Sequence, residues 1–218
     1  MRYCALATDY DGTLATHGKV DAQTLSSLHR FLSSGRKLLL ITGRELPDLR
    51  RVFPQLSLFA RVVAENGALL YRPTTGEERL LCAPVPGAFV SKLRRDGIPL
   101  SIGRAIVATV EQHQDAVRKA IEESGLDLHV LLNKGSVMVL PAGVNKATGL
   151  RCALAELGLG AGSVVGIGDG ENDCDFLNAC GFAAAVANAL ERSDRGRPRG
   201  RGCRDHRPGA RKRFSGWR

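Results

Sequence analysis

The 218-residue sequence predicts an α/β fold: a doubly wound parallel sheet with a small α+β unit inserted into it. Three observations predict it. Short apolar runs alternate with segments of helical periodicity up to about residue 64 and again after residue 142, the rhythm of strand–helix–strand units. Between those stretches the order changes to helix, strand, helix and hairpin. Finally, three of the apolar runs end in polar signatures, at the carboxyl ends where open parallel sheets form their ligand crevice.

Taken in order, Tyr3 to Thr8 reads as a buried strand ending at Asp9. Asp21 can N-cap a helix whose apolar face holds Leu25, Leu28 and Leu32, with Gly35 as its stop. Lys37 to Ile41 is a second buried strand and ends at Thr42-Gly43-Arg44; a helix over Glu45 to Phe53 follows, with Pro54 after it. Arg61 to Ala64 makes a third strand, and Asn66-Gly67 turns into a hairpin of Ala68 to Tyr71 with Arg79 to Cys82. Pro84 to Asp96 has helical spacing, Ala105 to Val110 is strand-like, and Gln114 to Ser124 is an amphipathic helix stopped by Gly125. Leu128 to Leu132 and Ser136 to Leu140 pair around Asn133-Lys134-Gly135. The sheet rhythm then resumes: Asn145 caps a helix from Lys146 to Leu157, Ser163 to Ile167 is a strand, Cys174 to Ala179 a short helix and Phe182 to Ala187 a last strand. The expected division is therefore a Rossmann-like core over 1–82 and 142–190, an α+β unit over 83–141, and a tail over 191–218.

The formal charge of +9 is unevenly placed. From Glu191 to Arg218 there are ten Arg and one Lys against three acids, so the body is near neutral. Nucleic acid is accordingly expected only through this basic tail, where Phe214 and Trp217 lie among the cations. The tail has the composition of disorder, and its abrupt loss of apolar periodicity after Leu190 is what a shifted reading frame would give. Such a shift would leave the sheet without part of its edge. No apolar run approaches a membrane span, and the N-terminus lacks a signal-peptide pattern, so a cytoplasmic location is expected. Six scattered cysteines with no CxxC pair read as thiols, and the five histidines show no metal spacing.

The three strand-end signatures are Asp9-Tyr10-Asp11-Gly12-Thr13, Thr42-Gly43-Arg44 and Gly168-Asp169-Gly170-Glu171-Asn172-Asp173. Together they bring Asp9, Asp11, Asp169 and Asp173 into one small space, where like charges are costly unless a divalent cation joins them. Mg²⁺ suits such a set because it takes one or two carboxylates, waters and a substrate phosphate. Lys146 stands in the first turn of its helix, where the dipole disfavours a cation unless an anion is held there. The Thr42 hydroxyl and the backbone N–H groups around Gly43 and Gly12 can donate to phosphate oxygens. Two other readings fail: Val20 occupies the position where a calcium loop needs its bidentate Glu, and Gly166-Ile167-Gly168-Asp169-Gly170 lacks the last Gly of a dinucleotide loop.

These motifs, in this order, resemble those of the haloacid dehalogenase-like (HAD) superfamily: DxDGT at Asp9 to Thr13, a strand-terminal Thr42, Lys146 and GDxxND at Gly168 to Asp173. The α+β insertion and the Glu65-Asn66-Gly67-Ala68 run are similar to the branch with Cof-type sugar phosphatases, sucrose-phosphate phosphatase-like enzymes and archaeal phosphoglycolate phosphatases. The resemblance implies a phosphatase acting on a small phosphorylated metabolite, with the inserted unit as a cap. It implies Asp9 as the nucleophile, Asp11 as the general acid and base, and Thr42, Gly43, Lys146 and Asn172 around the phosphoryl group. Mg²⁺ would be held by Asp9, the Asp11 carbonyl and Asp169, with Asp173 ligating it or orienting its waters. Arg44, Arg104 and Lys134 could reach a distal anionic group of the substrate, or be solvated surface charges. A sugar phosphomutase shares the same motifs and is the alternative enzyme; nucleic-acid binding through the tail is the alternative outside enzymes. The oligomeric state is open.

Overall fold

The computed structural model describes residues 2–133 and 135–186. Its first strand, β1 (Ala5–Thr8), leads through α1 (Ala22–Ser33) to β2 (Lys37–Ile41), then through α2 (Leu46–Val52) to β3 (Arg61–Ala64). A hairpin of β4 (Leu69–Arg72) and β5 (Glu77–Leu80) follows. The inserted unit contains α3 (Gly87–Arg95), β6 (Ser101–Ile102), β7 (Val107–Val110), α4 (Gln114–Ser124), β8 (Leu128–Asn133) and β9 (Ser136–Pro141). The chain then returns through α5 (Lys146–Leu157), β10 (Val164–Gly168), α6 (Cys174–Ala179) and β11 (Phe182–Ala185).

The large sheet runs β11-β10-β1-β2-β3-β4-β5, parallel from β11 to β3 and antiparallel across β3/β4 and β4/β5. Both of its faces are covered, which is why β2 reads as an unbroken apolar run. Leu38 and Leu40 pack with Leu28 of α1 and Leu46 and Leu49 of α2; Leu39 and Ile41 pack with Leu150 and Leu154 of α5 and Phe176 of α6. The alternation of side chains along one strand thus feeds two cores on opposite faces. α1 starts where Asp21 accepts a hydrogen bond from the Thr24 N–H, and α5 starts in a reciprocal capping box between Asn145 and Thr148.

The second sheet is antiparallel, in the order β6-β7-β9-β8, and α3 and α4 cover it through Phe89, Leu93, Val117 and Ala120. A small apolar cluster of Ala68, Ala105, Ile106, Leu140 and Val144 joins it to the large sheet. Two expectations shift. The partner of β4 is Glu77–Leu80 rather than Arg79 to Cys82, because the tight turn at Gly76 (φ 75°), whose N–H bonds the Arg72 carbonyl, sets the register. Strand β6, two residues long, carries no periodic signal and went unforeseen. The tail, Lys134 and Ala187 lie outside the described residues. Among the described residues no helix is long and apolar enough to cross a membrane.

Candidate active site

Chain order and sheet order diverge at β1: the chain proceeds outward to β2 and β3, and later returns to place β10 on the other side of β1. This reversal opens a crevice at the strand ends. Asp9 follows β1, Thr42 follows β2 and Asp169 follows β10, so the three polar signatures meet there. In register, Thr8 of β1 lies beside Leu40 of β2 and Ile167 of β10, and the Asp9 N–H donates to the Ile167 carbonyl at 2.9 Å.

Lys146 is the hub. Its Nζ donates to Asp9 Oδ1 at 2.6 Å and to Asp173 Oδ1 at 2.6 Å, and all three residues are buried. The α5 N-terminus can come this close because Gly67 and Gly149 lack side chains: a Cβ on Gly67 would lie 2.0 Å from the Asn145 carbonyl oxygen, and one on Gly149 would lie 2.7 Å from Gly67 Cα. Asp173 spends its other oxygen on the backbone, where Oδ2 accepts the N–H groups of Asp169 and Gly170, each at 3.0 Å. It thereby fixes the Asp169 loop as well as the lysine. Thr13 Oγ1 donates to Asp169 Oδ1 at 3.5 Å, a long contact.

Electrostatics follow from burial. Desolvation pushes the Asp9 carboxyl up to about 6, with Lys146 opposing and Asp173 and Asp169 adding to the rise. For Lys146 burial acts downward, but the Asp9 and Asp173 carboxylates outweigh it and hold the ammonium above the ordinary lysine value. Oxygens of Asp9, Asp169 and Asp173 lie within 4.8 Å of one another. Three carboxylates against one ammonium leave surplus negative charge, and an all-oxygen donor set of this kind can hold a hard divalent cation.

The remaining expected residues divide. Thr42 is buried and its Oγ1 accepts the Arg44 N–H at 3.1 Å; Gly43 lies directly beneath the Asn66 side chain. Asn172 and Lys146 line one cavity of about 320 Å³. Asp11 stands at the rim, gripped by Arg44 through Nε–Oδ2 at 2.6 Å and Nη2–Oδ1 at 2.7 Å. Arg44 also bonds Asp48 and lies over the buried Tyr10 ring, 5.4 Å from its centroid. Its guanidinium is thus committed within the core. Arg104 sits on the second sheet's β6–β7 turn, 62% exposed, with Glu78 at 3.6 Å, and is not brought to the Lys146 cluster. Three features escaped sequence reasoning. Asp48 was legible as the i+4 partner of Arg44. Glu65, fully buried, accepts the N–H groups of Arg104, Ala105 and Ile106 at 2.8, 2.9 and 3.2 Å, and nothing local signals it. Met138 of β9 touches Asn66, also without a local signal.

A family model described as haloacid dehalogenase-like hydrolase matches residues 6–95 and 98–193. A phosphoglycolate phosphatase of Haloarcula marismortui is 30% identical over 207 residues, covering 87% of this chain and 88% of that protein. Among solved structures, a haloacid dehalogenase-like hydrolase from Bacteroides thetaiotaomicron superposes with a TM-score of 0.73 at 18% identity, covering 87% of this chain and 90% of that one. A sugar phosphatase of HAD subclass IIB superposes with a TM-score of 0.66 at 18% identity, covering 83% and 86%.

Proposed function

The chain belongs to the haloacid dehalogenase-like hydrolases, and from that premise we propose that it is a Mg²⁺-dependent phosphatase of a small phosphate monoester, a sugar phosphate or a phosphoglycolate-like compound. The observation that carries the reading is the buried Asp9–Lys146–Asp173 triad at the β1/β10 crevice, with Asp169 beside it.

Asp9 attacks phosphorus with one carboxylate oxygen, and the bond from phosphorus to the ester oxygen breaks. Asp11 supplies the proton to the departing alkoxide, giving an alcohol and an aspartyl-phosphate. Asp11 then takes a proton from water as the water oxygen attacks the same phosphorus, releasing inorganic phosphate and restoring Asp9. Lys146, Asn172, the Thr42 hydroxyl and the backbone at Gly43 hold the phosphoryl oxygens and offset charge that grows in the transition state. Burial helps here, because a water-poor site strengthens each of these contacts. In this structure Arg44 donates to both Asp11 oxygens, so that bidentate contact must open before Asp11 can carry the proton to the leaving oxygen. Asp9, the Asp11 carbonyl and Asp169 would hold Mg²⁺, with Asp173 ligating it or orienting its waters. When bound, the ion neutralises carboxylate and phosphate charge. The inserted unit would act as the cap that selects the organic group.

Phosphate release from a panel of sugar phosphates, phosphoglycolate and nucleotides, with Mg²⁺, tests the assignment in wild type and Asp9→Asn. Wild-type release abolished by the substitution supports it, and equal release by both proteins removes Asp9 as the nucleophile. Activity that requires a bisphosphate activator would instead identify a phosphomutase.

A further inference from the structure

The cavity beside the buried triad has walls of two kinds. Lys146 and Asn172, which hold the phosphoryl group in the reading above, line it together with Asn145 and Asp175. The inserted unit contributes apolar side chains, among them Leu131 and Leu132 of β8 and Leu140 of β9. Leu132 is 46% exposed, an apolar surface left open at the lining. A volume of about 320 Å³ suits a small metabolite. The organic part of a phosphoester held at Lys146 therefore meets these walls.

Charge is unevenly spread over them. Of the described lining residues only Lys146 and Asp175 are charged. The Lys146 ammonium is already met by two carboxylates, Asp9 and Asp173. Asp175 is exposed, whereas Asp173, two residues before it, is fully buried. It stands in the first turn of α6, and its Oδ2 accepts from Asn145 Nδ2 at 3.1 Å. That amide is oriented independently, because Asn145 Oδ1 accepts the Thr148 backbone N–H at 2.9 Å in the capping box of α5. A neutral amide leaves the carboxylate charge uncompensated, and no cation among the described residues pairs with it. Arg44 is engaged by Asp11 and Asp48, and Arg104 faces Glu78.

Resting on the phosphatase reading, we propose that Asp175 is a specificity-determining residue. Its negative charge on the cavity wall turns away phosphoesters whose organic part is anionic and favours uncharged or cationic ones, such as phosphorylated polyols and amino alcohols. Coulomb interaction acts through space, so the selection needs no direct contact between the carboxylate and the substrate. Repulsion of the wrong ligand sets specificity as well as attraction of the right one does.

Three esters of nearly equal size differ in that charge: phosphoglycolate, 2-hydroxyethyl phosphate and phosphoethanolamine. The test measures kcat/KM for each, with Mg²⁺, in wild type, Asp175→Asn and Asp175→Glu. Asparagine keeps an oxygen for Asn145 and loses the charge; glutamate keeps the charge. Relative to 2-hydroxyethyl phosphate, Asp175→Asn should raise phosphoglycolate about fivefold and lower phosphoethanolamine about fivefold. That factor is about 1 kcal/mol, the scale of two unit charges about 4 Å apart in watery surroundings. Each ratio is compared between proteins, so the esters' own reactivities cancel. Asp175→Glu should keep both ratios within about twofold of wild type. A purely structural role would lower all three esters alike. Ratios that Asp175→Asn leaves unchanged overturn the inference, as do ratios that Asp175→Glu shifts as far as Asp175→Asn. So does a wild-type preference for phosphoglycolate over 2-hydroxyethyl phosphate, or hydrolysis of para-nitrophenyl phosphate with none of the three. Hydrolysis of no ester at all, para-nitrophenyl phosphate included, overturns the phosphatase reading itself.

Discussion

Asp9→Asn should stabilise the metal-free protein while removing its activity. Burial lifts the Asp9 carboxyl from 3.8 to about 6 in the folded state. A raised carboxyl contributes stability below its unfolded value and loses it as pH climbs through the folded one. Between about pH 4 and pH 6 the wild type therefore gives up stability to ionise Asp9. With 1.36 kcal/mol per unit, the loss at pH 7.5 is about 3 kcal/mol. Asparagine cannot ionise, yet its Oδ1 can still accept the Lys146 ammonium that lies 2.6 Å from Asp9 Oδ1. In a protein of this size 3 kcal/mol corresponds to roughly 6–12 °C in Tm. Scanning calorimetry with a chelator present, from pH 4 to pH 8, should show the two proteins converging in acid and Asp9→Asn melting higher at neutral pH. Added Mg²⁺ should narrow the neutral-pH gap by stabilising the wild type more. A gap that stays flat across the pH range, or an Asp9→Asn protein that melts lower at pH 7.5, would refute the electrostatic account.

Three further outcomes are expected. Glu156 meets Arg61, Arg72 and Arg79, and hydrogen bonds from Arg72 foremost, with burial opposing, hold its carboxyl down at about 2. That stability is present above about pH 4.5 and lost as pH falls toward 2; Arg72 and Arg79 are 33% and 49% exposed, so solvent screening brings the worth to about 1–2 kcal/mol. Urea unfolding of Glu156→Gln should show that deficit in full at pH 7, roughly half of it at pH 3 and little by pH 2. Glu65→Ala leaves the buried N–H groups of Ala105 and Ile106 and the part-buried one of Arg104 without their acceptor, a cost of about 3 kcal/mol or more. A drop in Tm of several degrees checks it, and an unchanged Tm contradicts the buried role. Gly67→Ala places a Cβ 2.0 Å from the Asn145 carbonyl at φ 106°, and so must displace the start of α5 and Lys146. Phosphate release should fall by about a hundredfold, the scale of an ångström's misplacement. Gly35→Ala, also left-handed but with nothing within 4 Å, should keep its activity and lose only about 1 kcal/mol of stability.

Much of this molecule was legible from local pattern. Helices α4 and α5 carry their boundaries in the chain, because periodicity marks the buried face and Asn145, Gly125 and Gly158 mark the ends. Strands β2 and β3 were equally plain, since an apolar run buried on both faces looks like nothing else at that length. The positions of Asp9, Thr42, Lys146 and Asp169 followed, each standing where an apolar strand stops or a capped helix begins. What sequence could not supply was who meets whom. Lys146 bonds Asp9 across 137 residues and Asp173 across 27. Arg44, read as either a contact to a distal anionic group of the substrate or a solvated surface charge, reaches back 33 residues to Asp11. Glu65 grips a turn some 40 residues away. These contacts depend on the order of strands in the sheet and on the register of the inserted unit against it. Both are set by which apolar faces bury one another, a property of the packed whole rather than of any stretch of chain.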